Sequence, residues 1–337
     1  MIYYRPIPML DPARPKTAVQ LAGGWCWFDR VEVLERGRAP VLVSVAEVPA
    51  DALNSLSGPR QDVAGLTMDR PRIMGILNVT PDSFSDGGLY LDVGVARAQA
   101  RLMAGAGADI LDIGGESTRP GADPVPVEEE LRRTRPIVGA LVAGGIRVPI
   151  SVDTRKAAVA QAAFAAGAQM LNDVSALSHD AGMAAVAAAS KVPVCLMHSQ
   201  GDPQSMQADP HYGDVLLDVY DYLAGRIAFA VQSGISRSGI VIDPGIGFGK
   251  TLAHNLALIR GLSLFHGLGC PILLGVSRKR FIGTIGGEAE PVRRAPGSLA
   301  MALAGAAQGV QILRVHDVWE TRQALALWRS VTVGDLA

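Results

Sequence analysis

Residues 73–88 read IMGILNVTPDSFSDGG. Ile73, Met74, Ile76 and Leu77 form a short apolar run, the pattern of a parallel strand buried on both faces. From Asn78 the chain turns polar, breaks at Pro81 and closes on Gly87-Gly88, so the strand empties into a loop. Polar groups delivered at the C-terminal edge of an apolar strand are how α/β enzymes present chemistry. One such turn on its own is an ordinary βα connection. Here the same arrangement recurs seven more times.

Apolar runs lie at 73–78, 108–114, 148–153, 169–174, 192–197, 239–243, 270–276 and 311–316. Between them come Ala/Leu-rich helical stretches, among them 93–105, 128–142, 155–166, 216–233 and 319–329. Eight strands, each followed by a helix, predict an α/β fold of the (β/α)8 TIM-barrel class over residues 71–337. An open doubly wound sheet is the alternative, and the regular units without a dinucleotide fingerprint argue against it. Residues 1–70 are richer in Pro and Arg and hold Trp25 and Trp27. They predict a small α+β extension of unassigned role, with one strand at 41–45, a short helix at 51–56 and a linker at 58–69.

Of the 337 residues, 49% are hydrophobic and 19% charged, which suits a large core. A net charge of −1 gives no field directed at nucleic acid or an anionic membrane. Cys26, Cys195 and Cys270 form no CxxC pair, and the chain start carries Arg5 and Pro6 where a leader needs an apolar core. A cytoplasmic protein with no membrane or nucleic-acid partner is expected.

Active sites of barrels sit at the C-terminal ends of the strands. Those ends carry Asn78, then Asp112 with Glu116, Thr118 and Arg119, then Asp153, Asn172 with Asp173, Met197 with His198, Asp243, Ser277 to Lys279, and Arg314 with His316. Asp153, Asn172 and Asp243 form an acceptor-rich pocket, matched to a flat heterocycle with ring N–H and exocyclic NH2 donors. The alternative for Asp153 is a helix cap, since a helix is expected from Arg155. Arg314 and His316 alternate on the last strand and share a face, which suits a diphosphate or other anion. The turn Ser277-Arg278-Lys279-Arg280 follows strand seven, where barrels often hold phosphate. Residues 245–251 imitate a phosphate loop, but Pro244 breaks the required spacing. His179, His211, His254 and His266 show no zinc spacing and read as surface or structural residues.

The series NVTPDSFSDGG, GGESTRPGA, SVDT, NDVSAL, LMH, DPGIGFGKT, GVSRKRF and RVHD, in this order, resembles the dihydropteroate synthase family from Ile73 to about Arg329. The resemblance implies condensation of 6-hydroxymethyl-7,8-dihydropterin diphosphate with p-aminobenzoate, giving 7,8-dihydropteroate and pyrophosphate. It implies a pterin pocket of Asp153, Asn172, Asp243 and Lys279, with Met197 and Arg314 against the ring and Thr118 alongside. Asn78 would bind Mg2+ with the diphosphate, held also by Arg314 and His316, and Asp86 would stabilise the developing cation. Phe84, Thr118, Arg119, Pro120, Phe248 and Ser277 would shape the p-aminobenzoate slot, with the carboxylate at Arg280. It further implies sulfonamide sensitivity and a homodimer through the last barrel helices. Two other readings are a corrinoid-linked methyltetrahydrofolate methyltransferase, which needs no diphosphate clamp, and a non-catalytic pterin-binding paralogue.

Overall fold

The computed structural model describes residues 1–79, 93–117, 121–201 and 206–334. The N-terminal part holds β1 (Ile2–Pro6), β2 (Val19–Gln20), β3 (Trp27–Phe28), β4 (Arg30–Glu35), β5 (Val41–Ser44) and α1 (Ala50–Ser57). The barrel follows as β6 (Arg72–Asn78), α2 (Val93–Ala106), β7 (Ile110–Gly114), α3 (Val127–Ala143), β8 (Ile150–Asp153), α4 (Ala157–Ala165), β9 (Met170–Asp173) and α5 (Met183–Ser190). Its second half is β10 (Val194–Met197), α6 (Val215–Gln232), β11 (Ile240–Asp243), α7 (Leu252–Arg260), β12 (Leu273–Leu274), α8 (Arg280–Gly286), α9 (Ala295–Ala306), β13 (Ile312–Val315) and α10 (Val318–Thr332).

Eight parallel strands run in the order β11-β10-β9-β8-β7-β6-β13-β12, and a parallel bridge between Ile242 and Ile272 joins the two ends into a barrel. The expected strand at 270–276 is regular only over Leu273–Leu274, although Ile272 carries the closing bridge. Side chains alternate along each strand. Ile73, Leu77, Leu111, Ile113, Ile150, Val152, Leu171, Leu196 and Ile242 belong to the main core between strands and helices. Met74, Ile110, Met170, Cys195, Val241, Leu273 and Ile312 form a separate cluster inside the barrel. Two residues further along the same strands stand Asp112, Asn172, Met197, Asp243 and Arg314. Period two therefore places an apolar floor beneath a polar layer.

The predicted linker is corrected by the structure. Residues 58–71 have no regular element beyond a bridge between Val63 and Leu66, yet Val63 and Met68 join the interior cluster and plug the N-terminal end of the barrel. Arg60 is buried and donates to the carbonyls of Ser55, Gly58 and His266.

The single strand expected at 41–45 is one of five. β1, β4 and β5 form an antiparallel sheet, and β2 pairs with β3. Leu21, Trp25, Phe28, Val31 and Leu56 make a small core of their own. Trp25 Nε1 donates to Ala306 O at 2.8 Å, Ser263 Oγ to Pro6 O at 2.8 Å and Tyr3 Oη to Asp221 at 2.9 Å. The extension thus packs on α6, α9 and the 3-10 segment Leu262–Leu268, behind the barrel wall.

Candidate active site at the barrel mouth

The register sets Asn78 beside Gly114, Gly114 beside Asp153, and Asp153 beside Asn172, in one row across four strands. Below this row, Asp112 is fully buried. Its Oδ2 accepts from Asn172 Nδ2 at 3.0 Å and from Arg314 Nε at 2.6 Å. Arg314 Nη2 reaches Asp153 Oδ2 at 2.7 Å. One guanidinium therefore spans two carboxylates and ties the second, third and eighth barrel strands, β7, β8 and β13, together. Asp112 is among the strand-end groups named from the sequence, but with no role in the pocket. Its signal was parity, since it stands two positions from Ile110 and faces inward with it.

The Oδ1 atoms of Asp112 and Asp153 are buried with no hydrogen-bond partner among the described residues. An unmade bond of this kind costs free energy and is recovered when a ligand donor arrives. With its Nδ2 engaged, Asn172 offers its amide oxygen, so the pocket presents acceptors, as a donor-edged heterocycle requires. Burial pushes Asp153 up to about 7, against the pull of Arg314 and with a further push from Asp112. Burial pushes Asp243 up to about 6, opposed by the Gly245 N–H, Lys279 and Arg314. Burial opposes the charge on Arg314, but Asp112 and Asp153 outweigh it and keep the guanidinium firmly protonated.

Asp153 caps no helix. α4 begins at Ala157 with Lys156 in the cap position, so the carboxylate is committed to Arg314 and the pocket. Met197 is buried at the end of β10, opposite Asp243 on β11. On the β11 side, Lys279 Nζ sits 4.1 Å from the centroid of Phe248. Ser277 Oγ lies 3.0 Å from His316 Nδ1 and accepts from the His316 backbone N–H at 3.1 Å. Arg280 is exposed and opens α8. Arg278 is no free anion binder: its guanidinium pairs with Asp317, and its backbone N–H donates to Ser298 at 2.8 Å. Arg314 and His316 share the inner face, but Arg314 is turned to the two carboxylates and His316 to Ser277. Phe84, Asp86, Thr118, Arg119 and Pro120 lie outside the described residues. Of the four histidines set aside, His266 is buried, His254 completes the cap box of α7, and His179 and His211 are exposed.

A second buried charge cluster supports the loop after β7. Glu116 accepts from Arg155 at 3.3 Å and from the Val125 N–H at 3.0 Å. Lys156 Nζ bridges Glu116 at 3.1 Å and Glu130 at 2.5 Å, and donates to Val125 O at 2.7 Å. Lys156→Met would leave two buried carboxylates short of a cation, at a cost of about 3–5 kcal/mol. Urea midpoints of the two proteins check this, and an unchanged midpoint would contradict it.

Asn78 offers one amide oxygen, and among the described residues no group of three His, Cys, Asp or Glu could hold a metal. That donor set does not cage an ion. It fits a Mg2+ that arrives already ligated by substrate phosphate oxygens.

The barrel that carries this mouth belongs to the pterin binding enzymes, whose family description matches residues 74–316. Among its relatives, the dihydropteroate synthase of Neisseria meningitidis serogroup B is 47% identical over 271 residues, covering 79% of this chain and 94% of that protein. The Escherichia coli K12 dihydropteroate synthase is 48% identical over 260 residues, covering 77% and 91%. Xanthomonas albilineans dihydropteroate synthase with 4-aminobenzoic acid superposes with a TM-score of 0.76 at 51% identity, covering 81% of this chain and 98% of that one. The same enzyme with 7,8-dihydropteroate gives 0.73 at 48% identity. This chain belongs to the dihydropteroate synthase family.

Proposed function

We infer that the protein condenses 6-hydroxymethyl-7,8-dihydropterin diphosphate with p-aminobenzoate, releasing pyrophosphate and 7,8-dihydropteroate in folate biosynthesis. The observation that carries this reading is the ring of inward acceptors at Asp153, Asn172 and Asp243, two of them on buried carboxylates, above an apolar floor. The aminopyrimidinone edge of a pterin supplies the matching N–H donors. The relatives with 4-aminobenzoic acid and 7,8-dihydropteroate support both halves of the reaction.

The reaction is displacement at the pterin methylene carbon by an aromatic amine. Loss of pyrophosphate leaves a pterin-stabilised cation, and the carboxylates of Asp153 and Asp112 beneath the ring favour that positive charge electrostatically. Arg314, though its Nε and Nη2 are held by Asp112 and Asp153, and His316 beside Ser277 would supply donors to the departing diphosphate. Mg2+ brought in at Asn78 with that group would help to neutralise its charge. The arylamine traps the cation, so no strong general base is needed. Phe248 and Ser277 would line the p-aminobenzoate slot, with Arg280 near the carboxylate and Phe84, Thr118, Arg119 and Pro120 contributed by the neighbouring loops, while Lys279 would belong to the pterin pocket and Asp86 would stabilise the cation. A sulfonamide shares the outline of p-aminobenzoate and would compete for the slot.

Asp243 makes this reading testable. Its ionised form accepts two N–H donors, and its pKa stands at about 6 in the free protein. Affinity for a neutral aminopterin should therefore be level above pH 7 and fall about tenfold per unit below pH 6. Folding responds in the opposite sense: the raised pKa contributes stability that is fully present below pH 4 and lost as pH rises through 6. Fluorescence titration of a pterin between pH 5 and 8 reads the first effect, and Asp243→Asn should flatten it. A pH-independent affinity in the unaltered protein would count against the assignment.

A homodimer is part of the proposal. Trp319, Leu327 and Val331 on α10 are 59%, 66% and 85% exposed, which leaves an apolar stripe on the last barrel helix. Light scattering at micromolar concentration should give twice the chain mass, and a monomer would remove this element. A cytoplasmic location is supported by three buried, unpaired thiols, and no described helix is long and apolar enough to cross a membrane.

A further inference from the structure

Lys250 ends the segment that imitates a phosphate loop, and the reaction as described leaves it without a task. It is only 3% exposed. Among the described residues no carboxylate lies within ion-pair distance of it. A buried ammonium without a counter-charge is costly, and an apolar side chain of its length would fill the same space. Burial holds its pKa down at about 7. Its donors are spent on three acceptors: His198 Nδ1 at 2.8 Å, Phe248 O at 2.9 Å and His198 O at 3.4 Å. With the ammonium as donor, Nδ1 accepts and the His198 tautomer that fits carries its proton on Nε2. The ring is further wedged edge-on against Tyr222 at 4.7 Å.

The contact so formed joins two loops that already touch backbone to backbone. A Cβ at Gly245 would stand 1.8 Å from His198 O, and one at Gly249 would stand 2.6 Å from Gln200 O. Both glycines have positive φ, so the loop after β11 lies directly on the loop after β10. Between them, the same loop meets Lys279 twice. Phe248 stacks under its ammonium at 4.1 Å, and a Cβ at Gly247 would be 3.1 Å from its Cδ. The Phe248 carbonyl is thus held by Lys250 on one side, while its ring presents to Lys279 on the other.

We propose that Lys250 is a positioning residue for the second-substrate slot: bonded to His198 Nδ1, it holds the Phe248 carbonyl and so the ring that faces that slot. The proposal rests on the reading of Phe248 as a wall of the p-aminobenzoate slot. It assigns the loop-to-loop contact to arylamine recognition, whereas Asp243 at the start of the same loop remains fixed by its own bonds to the Gly245 N–H at 2.7 Å and, through its carbonyl, to the His198 N–H at 2.9 Å. Lys250→Met should therefore separate the two substrates.

The test uses the full chain and measures KM for p-aminobenzoate alongside direct binding of the pterin diphosphate. Lys250→Met is expected to raise KM for p-aminobenzoate at least tenfold while pterin affinity stays within threefold. His198→Leu, which removes the acceptor, should do the same, and the double variant should be no worse than either single one, since both cut one bond. His198→Asn keeps an acceptor near the Nδ1 position and should restore KM to within threefold of the unaltered protein. Should Lys250→Met fail to fold, the His198→Leu and His198→Asn pair carries the comparison. Equal losses for both substrates, an unchanged KM, or an Asn variant as impaired as the Leu variant would overturn the proposal. An unaltered protein that binds pterin but forms no dihydropteroate would instead refute the activity on which it rests.

Discussion

Arg314→Met is expected to unfold this protein more readily than any other single substitution at the site. Its guanidinium lies between Asp112, fully buried, and Asp153, 7% exposed, at 2.6 and 2.7 Å. Removing it strands two carboxylates in the barrel interior, at a cost of about 3–5 kcal/mol. The sign of the pH dependence follows. Without the cation the Asp153 carboxyl, already raised by burial, holds its proton to still higher pH, and protonation relieves its stranded charge. The stability gap between variant and unaltered protein should be wide at pH 8 and narrow at pH 5. Urea midpoints at the two pH values read it directly. Arg314→Lys should not restore the loss, because an ammonium cannot span both acids with the fork that Nε and Nη2 provide. A gap that is the same at both pH values would mean that the two acids are not ionised around Arg314.

The second large effect is expected from Lys279→Ala. Lys279 sits in the cap position of α8, lies over the Phe248 ring and helps to hold Asp243 ionised. It is half-buried and stands outside the Asp112–Arg314–Asp153 bridge that ties the strands together, so truncation should leave the fold intact. Catalysis should fall on the order of 10³-fold in kcat/KM, with weakened pterin binding as the main cause. Equilibrium binding of the pterin diphosphate, measured beside steady-state rates, separates the two contributions. Full pterin affinity in the Ala variant would remove Lys279 from the pterin pocket.

Much of this site was legible in the sequence because strand periodicity does two tasks at once. The run Ile73 to Leu77 announces a strand by its apolarity, and the residue that ends the run is by the same period an inward one. Asn78, Asp153, Asn172, Met197, Asp243 and Arg314 all follow that logic. Asp112 followed it too, but it lies inside its strand rather than at the end, where a buried acid looks improbable until Arg314 from the far side of the barrel is placed beside it. That neighbour is 202 residues away, and no local pattern reports it. The same holds for Lys250 and His198, separated by 52 residues. The N-terminal sheet was missed for a different reason. Arg30-Val31-Glu32-Val33-Leu34-Glu35 is the central strand between β1 and β5, but its charged side chains leave only Val31 fully buried, so it lacks the apolar run that marks the barrel strands. The segment 58–69 reads as a linker and is irregular, but the burial of Val63 and Met68 was not legible, because they find it only in a barrel assembled from the rest of the chain.

The most direct test of the account is pyrophosphate release from 6-hydroxymethyl-7,8-dihydropterin diphosphate with Mg2+, followed with and without p-aminobenzoate and paired with detection of the pteroate product. The acceptor ring, the Asp112–Arg314–Asp153 bridge and the Phe248–Lys279 wall predict that dihydropteroate forms only when both substrates are present, in one-to-one ratio with pyrophosphate. Tight pterin binding with no dihydropteroate formed, in an assay where the Escherichia coli relative turns over, would contradict it.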